Sequence, residues 1–507
     1  MLVQDLMTNE SLQDRLKKLK ETSFFDNLII KRGIEKEFFR VDSDGFISKK
    51  PHPISLGSAL KNKYITTDFA EAQVELVTPT FEDIDELYDF LFSLHVYVAK
   101  NIDDDEMLWP FSMPPKIEDE SEINLGYYHQ SGIGLLKHVY RRGLKARYGP
   151  TMQCVSGMHY NFSLKQSSFA GLVESPNQKK ISEAYLGLIR NFKRIYWFVL
   201  CEFGQTNVVD KSFVKNRRHN LKELNKSDMF LEHATSLRMS EIGYQSKAQK
   251  SLDIKYNSLE GFLRKIKKAI EVPYKEFSDK GLKDSDEEYQ QISDGIIQIE
   301  NEYYDSIRPK RSSSENMRPY DLLKNSGIEY LEIRGVDIAP SDITGMSKHH
   351  IRFLDLILIY CLILPSPKIT SNEKKEIDSN EYIAIYSGRD KEAKILVNGD
   401  QIKINEARDE MLGNLRSIAK CMNDSQLFDD SIDHMMSLKK GELSQSSFHD
   451  YGVEKAKTNL ELLKSAGEKN IDSIKKEAEL SLEELDKMPT NSKQEMDEFV
   501  KNYNLGL

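Results

Sequence analysis

Three short stretches carry acidic, or acidic and basic, side chains at every second position. They are Gly33-Ile34-Glu35-Lys36-Glu37, Asp68-Phe69-Ala70-Glu71-Ala72-Gln73-Val74-Glu75 and Glu329-Tyr330-Leu331-Glu332-Ile333-Arg334. Successive side chains of a β-strand point to opposite faces. As strands, the three would place Glu35 with Glu37, Glu71 with Gln73 and Glu75, and Glu332 with Arg334, each set on one face. Ala70, Ala72, Val74 and Leu76 would lie opposite. Carboxylates are depleted in strands and repel when crowded. A sheet built from such strands needs a strong positive charge among them. A divalent cation is the simplest, and oxygen ligands favour Mg²⁺ or Mn²⁺ over zinc. Charged edge strands that block aggregation are the alternative.

A fourth alternating stretch runs from Met152 to Leu164. Met152, Cys154, Met158, Tyr160, Phe162 and Leu164 make its apolar face. Gln153, His159, Asn161 and Ser163 make the polar one. Beside Gly157, His159 reads as a metal ligand or a phosphate-binding group, against the plainer reading of a hydrogen-bonded histidine. Arginines complete the set: Arg334, Arg238, and Arg308 and Arg311 around Pro309-Lys310. Guanidinium forks match carboxylate and phosphate oxygens. Carboxylates holding a metal beside such arginines suit phosphoryl transfer. For Arg308 and Arg311, an ion pair with a nearby glutamate is an equal alternative. No G-x-x-x-x-G-K-[ST] loop and no dinucleotide G-x-G-x-x-G is present. Nor is there a serine elbow or a reactive Cys–His signature.

The chain that must position these groups has 507 residues, 39% of them hydrophobic and 30% charged, with a net charge of −10. That composition is globular, and the acidic balance opposes a nucleic-acid surface. Lys215-Asn216-Arg217-Arg218 reads as a solvated loop. Cys154, Cys201, Cys361 and Cys421 are scattered, which suits a reducing cytoplasm and neither a zinc site nor a disulfide scaffold. The charged start, Met1 to Glu21, lacks an apolar signal core. The most apolar run, Phe353 to Leu364, is too short to span a bilayer and reads as a buried helix. The pattern predicts helices over Asn9 to Lys20, Phe81 to Ala99, 181–203 and 259–271, and strands near 33–41 and 68–77. It also predicts a hairpin over 394–404 around Asn398-Gly399, and mostly charged helix from 405 to 500. The fold class is α+β: a mixed or antiparallel sheet with one polar, chemical face and helices on the other.

Longer segments resemble a known family. Arg32-Gly33-Ile34-Glu35-Lys36-Glu37, Leu56-Gly57-Ser58-Ala59-Leu60, Ile65-Thr66-Thr67-Asp68-Phe69-Ala70-Glu71 and Trp109-Pro110-Phe111-Ser112-Met113-Pro114 are similar to the proteobacterial type of glutamate–cysteine ligase. So are Gly143-Leu144-Lys145, Arg147-Tyr148-Gly149, Ser156-Gly157-Met158-His159-Tyr160-Asn161-Phe162-Ser163, and Thr235-Ser236-Leu237-Arg238. Ile299-Glu300-Asn301-Glu302-Tyr303-Tyr304, Ile307-Arg308-Pro309-Lys310-Arg311 and the stretch Gly327 to Arg334 agree as well. The resemblance is strong from about 30 to 340 and weak beyond about 370.

The resemblance implies an antiparallel sheet forming an active-site funnel, like the catalytic domain of glutamine synthetase. It implies one large ligase chain over 1–507, with a catalytic core over 22–370 and a hairpin and helices over 371–507. The implied activity is ATP-dependent joining of the L-glutamate γ-carboxylate to the amine of L-cysteine through γ-glutamyl phosphate, the first step of glutathione synthesis. The length leaves no room for the second domain of the fused bifunctional enzymes, so another protein would perform the second step. By the same resemblance, Glu35, Glu37, Asp68, Glu75, His159 and Glu332 would bind Mg²⁺ or Mn²⁺. Arg334 would contact the transferred phosphoryl group, with Glu332 beside it at the catalytic centre. Arg141 would reach the ATP phosphates. Asp68, Phe69, Tyr140, Gln153, Arg238, Tyr244 and Tyr304 would line the amino-acid pocket. The implied partners are small molecules, with neither nucleic acid nor membrane, and with glutathione as a feedback inhibitor. Rival readings are a ligase for another amine, a two-metal phosphohydrolase or nuclease, and a structural protein with a charged sheet face.

Overall fold

A computed structural model of the protein describes residues 11–312, 317–438, 446–467 and 469–505. The strands in chain order are β1 (Ile30–Asp42), β2 (Ile65–Thr67), β3 (Gln73–Val77), β4 (Glu106–Leu108), β5 (Met158–Leu164) and β6 (Val208–Asp210). They continue with β7 (Lys222–Glu223), β8 (Asp228–Phe230), β9 (Ile307–Lys310), β10 (Tyr330–Val336), β11 (Lys394–Val397) and β12 (Asp400–Lys403). The main sheet runs β2-β3-β1-β5-β10-β9, with β4 also on β1. Every pairing in it is antiparallel. The fold is the expected α+β class with an antiparallel sheet.

Register creates the polar face. Glu37 stands opposite Glu75, Glu35 opposite His159, and Glu332 opposite Arg308. Asn161 stands between Gly33 and Glu332. Directly opposed residues of antiparallel strands share a face, so these side chains converge. The other face is apolar: Ile34, Phe38, Val74, Leu76, Tyr160, Phe162, Leu331 and Ile333 are all buried. Helices α2 (Ile84–Asn101) and α4 (Gln178–Phe203) pack on that side, and α4 in turn packs on the helix Lys348–Ile363. That last helix is buried through most of its length, as its apolar run requires. Lys36 is a polar intruder beneath the sheet. Burial pulls its ammonium down to about 7, and its Nζ lies 2.8 Å from His95 Nε2.

Several elements differ from the sequence reading. The stretch 68–77 is not one strand but the second half of a hairpin, with Asp68 to Ala72 forming its turn. Asp68 N–H donates to the Gln73 carbonyl at 3.0 Å and Gln73 N–H to the Ala70 carbonyl at 2.9 Å, which closes the reversal. Glu71 therefore leaves the face of Glu75. It accepts from the backbone N–H groups of His52 at 2.7 Å and Tyr127 at 2.5 Å, tying two loops to the turn. Residues 152–157 are not strand either. Pro150 starts a short 3₁₀ turn over Thr151–Cys154, and β5 begins at Met158. Cys154 is still core, but Gln153 reaches the site from that turn.

Other departures are at element ends. The first described helix is α1 (Leu12–Glu21), capped by Ser11; Asn9 and the segment before it lie outside the described residues. Helix α2 starts at Ile84 because Asp83 caps it, while Phe81 bridges to Arg32. The helix Leu259–Glu271 has the expected bounds. So does the β11–β12 hairpin, where Asn398 and Gly399 both take positive φ. The basic run at 215–218 is a loop, and its Arg217 guanidinium lies 5.1 Å from the Phe213 ring centre.

Glu71→Ala should lower stability by about 1.5–3 kcal/mol in urea unfolding, the scale of hydrogen bonds to a charged group. An unchanged unfolding midpoint would return Glu71 to the candidate ligands.

Candidate active site

Three carboxylates on the polar face are each held by one oxygen. Glu37 Oε2 accepts from the Gly157 backbone N–H at 2.9 Å. Glu35 Oε1 accepts from Asn161 Nδ2 at 2.7 Å. Glu332 Oε2 accepts from Arg308 Nε at 2.8 Å and lies 2.7 Å from Arg308 Nη2. The second oxygens turn inward. Glu35 Oε2 is 3.2 Å from His159 Nδ1, and Glu37 Oε1 is 3.5 Å from His159 Nε2. Glu332 Oε1 lies 3.4 Å from Lys310 Nζ and 3.4 Å from Arg334 Nη1.

His159 thus sits between two groups of ligand atoms. Glu35, His159 and Glu332 form one, and Glu37, Glu75 and His159 the other, with ligand atoms in each group within 4.8 Å of one another. His159 Nε2, Asn161 Oδ1 and Arg334 Nε are buried without a hydrogen-bond partner among the described residues. Carboxylate oxygens with one imidazole, and an orphaned ring nitrogen among them, fit a hard divalent cation.

The electrostatics of the two groups differ. Burial opposes the charged form of Glu332, but Arg308, Lys310 and Arg334 outweigh it and hold the carboxyl well below its usual range. Burial also opposes Glu35, and the His159 hydrogen bond brings it below its ordinary value. At Glu75 the balance is reversed: burial first, then Asp68, Glu35 and Glu37, push it well above the usual range against the pull of Arg141. Burial and Asp68 likewise raise Glu37 against the pull of His159. Positive charge is therefore short at Glu37 and Glu75.

Asp68 lies at the head of the hairpin turn, outside both close groups, and acts on Glu37 and Glu75 through its charge. Helix α3 (Gly132–Tyr148) supplies Tyr140 and Arg141. Arg141 donates from Nε to the Asp68 carbonyl, from Nη1 to the Lys137 carbonyl at 2.8 Å and from Nη2 to the Thr67 carbonyl at 3.3 Å. It fixes the turn that carries Asp68.

An aromatic wall closes the other side. The Tyr244 and Tyr304 rings are 4.1 Å apart. Arg334 Nη2 donates to the Tyr244 hydroxyl at 2.5 Å, and Gln153 Nε2 to the Tyr304 hydroxyl at 3.2 Å. Phe69, Tyr140 and Tyr244 belong to one apolar cluster. Arg238 is 1% exposed. It donates to the Val336 and Arg334 carbonyls at 3.2 and 3.1 Å and lies 3.7 Å from Asp337 Oδ1. Its Nε is buried without a hydrogen-bond partner. Gly157 makes this possible, since a Cβ there would fall 1.9 Å from Arg238 Nη2.

The structure therefore gathers Glu35, Glu37, Glu75, His159, Glu332 and Arg334 on one face, with Asp68 at its edge. Gln153, Tyr244, Tyr304 and Arg238 stand beside them. Arg308 takes the ion-pair alternative. Sequence reasoning missed Lys310 and Asp337. Lys310 was visible only as part of a basic run. Asp337 follows a register shift in β10, so strand alternation could not place it.

Residues 14–383 match the glutamate–cysteine ligase family model. A glutamate–cysteine ligase of Hahella chejuensis is 42% identical over 386 residues, covering 75% of this chain and 73% of its own length. One from Pseudomonas putida is 39% identical over 399 residues, covering 78% and 76%. The crystal structure of the Francisella tularensis glutamate–cysteine ligase in complex with AMP superposes with a TM-score of 0.89 at 29% identity, covering 94% of this chain and 98% of that one.

Glu75→Gln should remove a like charge from the crowded group. The expected result is a metal-free protein that melts about 1–3 °C higher and binds Mn²⁺ more weakly. A lower melting point with unaltered Mn²⁺ affinity would mean that Glu75 is structural.

Proposed function

The chain belongs to the glutamate–cysteine ligase family, and from that premise we propose that it joins the γ-carboxylate of L-glutamate to the amine of L-cysteine at the expense of ATP. The observation that carries this reading is the face on which crowded carboxylates and an imidazole meet the Arg334 guanidinium. Glu35, Glu37, Glu75, His159 and Glu332, with Asp68 at the edge, would hold Mg²⁺ or Mn²⁺. When bound, the cation offsets phosphate charge and orients the nucleotide.

The chain's own groups do the rest. A carboxylate is a poor electrophile, so the glutamate γ-carboxylate first attacks the terminal phosphorus of ATP. The bond to the ADP oxygen breaks and γ-glutamyl phosphate forms. The cysteine amine then attacks the acyl carbon, the bond to phosphate breaks, and the amine sheds a proton. Arg334 stabilises the phosphoryl oxygens in transit; its free Nε is a donor with nothing else to bind. Arg238 holds an amino-acid carboxylate through its free Nε. Phe69, Tyr140, Gln153, Tyr244 and Tyr304 shape the amino-acid pocket around it. Arg141 keeps N–H groups beyond the three spent on the hairpin and helix for the nucleotide side.

Glutathione contains the same γ-glutamyl group and would compete for this pocket. Among the described residues no helix is long and apolar enough to cross a membrane. The four cysteines form no disulfide, which supports a cytoplasmic placement.

With ATP, Mg²⁺ and both amino acids, mass spectrometry should find γ-glutamylcysteine in step with phosphate release. Phosphate release without peptide would favour a hydrolase or another acceptor amine. Glu332→Gln should fold and lose turnover by at least about a hundredfold, the scale of one preorganised electrostatic group. Near-normal turnover at saturating metal would refute that role. Arg238→Ala should raise the KM of one amino acid far more than that of ATP; equal rises would undo the pocket assignment.

A further inference from the structure

Neither Asn161 nor Arg308 has a role in the scheme above, yet each makes the shortest contact to one of its carboxylates. Asn161 stands between Gly33 and Glu332 on the neighbouring strands. Gly33 has no side chain, and a Cβ there would fall 3.6 Å from Asn161 Cβ. That is ordinary contact, and the Asn161 amide gives Nδ2 to Glu35 Oε1 at 2.7 Å. Arg308 stands opposite Glu332 and forks onto a single oxygen, Oε2, from Nε and Nη2. Its Nη1 is anchored on the Asn301 and Tyr303 carbonyls at 2.9 and 3.1 Å, so the fork is fixed.

We infer that Asn161 and Arg308 are positioning residues. By occupying one oxygen of Glu35 and one of Glu332, they leave the other oxygen of each turned inward, Glu35 Oε2 towards His159 and Glu332 Oε1 towards Lys310 and Arg334. The inference rests on the metal-binding reading proposed above. A free carboxylate can rotate, chelate with both oxygens or swap them. Holding one oxygen leaves a single inward-facing ligand atom and removes that freedom before a cation arrives. Groups that orient ligands in this way typically contribute about 10–100-fold in metal affinity. Glu37 supports the pattern, because the Gly157 backbone N–H does for it what the two side chains do for Glu35 and Glu332. In that third case the device cannot be mutated, so the side-chain pair is where it can be tested.

The decisive measurement is Mn²⁺ binding to the full chain by titration calorimetry without nucleotide, together with steady-state turnover as Mn²⁺ is varied. Asn161→Ala should weaken Mn²⁺ by about 10–100-fold. It should raise the KM for Mn²⁺ correspondingly, and recover most of kcat at saturating Mn²⁺. Arg308→Lys keeps the charge but loses the fork, and should shift Mn²⁺ in the same direction. Mn²⁺ affinity within about twofold of the parent in Asn161→Ala would overturn the inference, and so would a kcat that saturating metal does not restore. Should Asn161→Ala fail to fold, Asn161→Ser, whose hydroxyl is too short to span to Glu35, is read against the same two limits. The two levels of argument separate cleanly. A parent chain that binds no Mn²⁺ defeats the metal-binding reading itself. A parent that binds Mn²⁺ and makes product, with variants that bind equally well, defeats only the positioning role.

Discussion

The structure depends on keeping four carboxylates, Glu35, Glu37, Glu75 and Glu332, close together on one face of a sheet, with Asp68 at its edge. Such a face is unfavourable in every ordinary respect, since it combines like charge with burial. The protein resolves it unevenly. On the β9–β10 side, Arg308, Lys310 and Arg334 surround Glu332 and keep it ionised. On the β1–β3 side, Glu37 and Glu75 face each other with His159 and the charge of Asp68, and the pull of Arg141, Arg238 and Arg334 does not bring either carboxyl down to its usual range. The cations of the first half suit an anion, and the raised carboxyls of the second suit a cation. A phosphoryl-transfer site needs both: a place for metal and a place for the oxygens that metal alone cannot cover.

The rest of the fold can be understood as support for that face. The reverse side of each strand is apolar and sealed by α2 and α4, so the sheet cannot relax by turning its charges towards solvent. Backbone carbonyls aim the arginines. Arg238 is pinned on the Val336 and Arg334 carbonyls, and Arg141 on Thr67, Asp68 and Lys137. A guanidinium held this way has few conformations to lose when substrate arrives, which lowers the entropic cost of binding. Gly157 serves twice. Its N–H fixes Glu37, and its missing Cβ makes room for Arg238.

Strand alternation made most of the site legible. Glu35, Glu37, Glu75, His159, Glu332 and Arg334 share a face because period-two spacing is a local property, and antiparallel pairing keeps opposed residues together. Alternation misled where the backbone leaves the strand. Ala70-Glu71-Ala72 keeps the same spacing, yet the chain reverses there, because the partners that hold Glu71 come from loops distant in sequence. Gln153 was placed on a strand because the alternation of 158–164 extends back in the sequence, but Pro150 starts a turn first. The positions of Tyr244, Tyr304 and Arg238 follow from tertiary packing, and no periodicity encodes them. Family resemblance named the two tyrosines, while Arg238 stood out only as one of several arginines.

Resemblance and pattern were both weakest over the C-terminal helices, whose packing is nevertheless specific. The family match ends at residue 383, but the chain beyond returns to the site's outer supports. The helix Phe448–Ser465 brings Gly452 so close to Trp109 that a Cβ would lie 2.0 Å from its ring. The helix Ile471–Asp486 sets the Ser481 hydroxyl as acceptor for the Ser58 N–H at 2.9 Å, beside the hairpin that carries Asp68 and Glu75. The helix Lys493–Leu505 packs its Met496 and Val500 with Leu136 and Val139 of α3, the helix that presents Tyr140 and Arg141. These contacts fall on Trp109 just after β4, on Ser58 before the hairpin, and on α3. A helix needs only an apolar stripe to buttress them, so its sequence can drift while its task is unchanged. That is how a segment beyond the family match can still bear on the placement of the site residues.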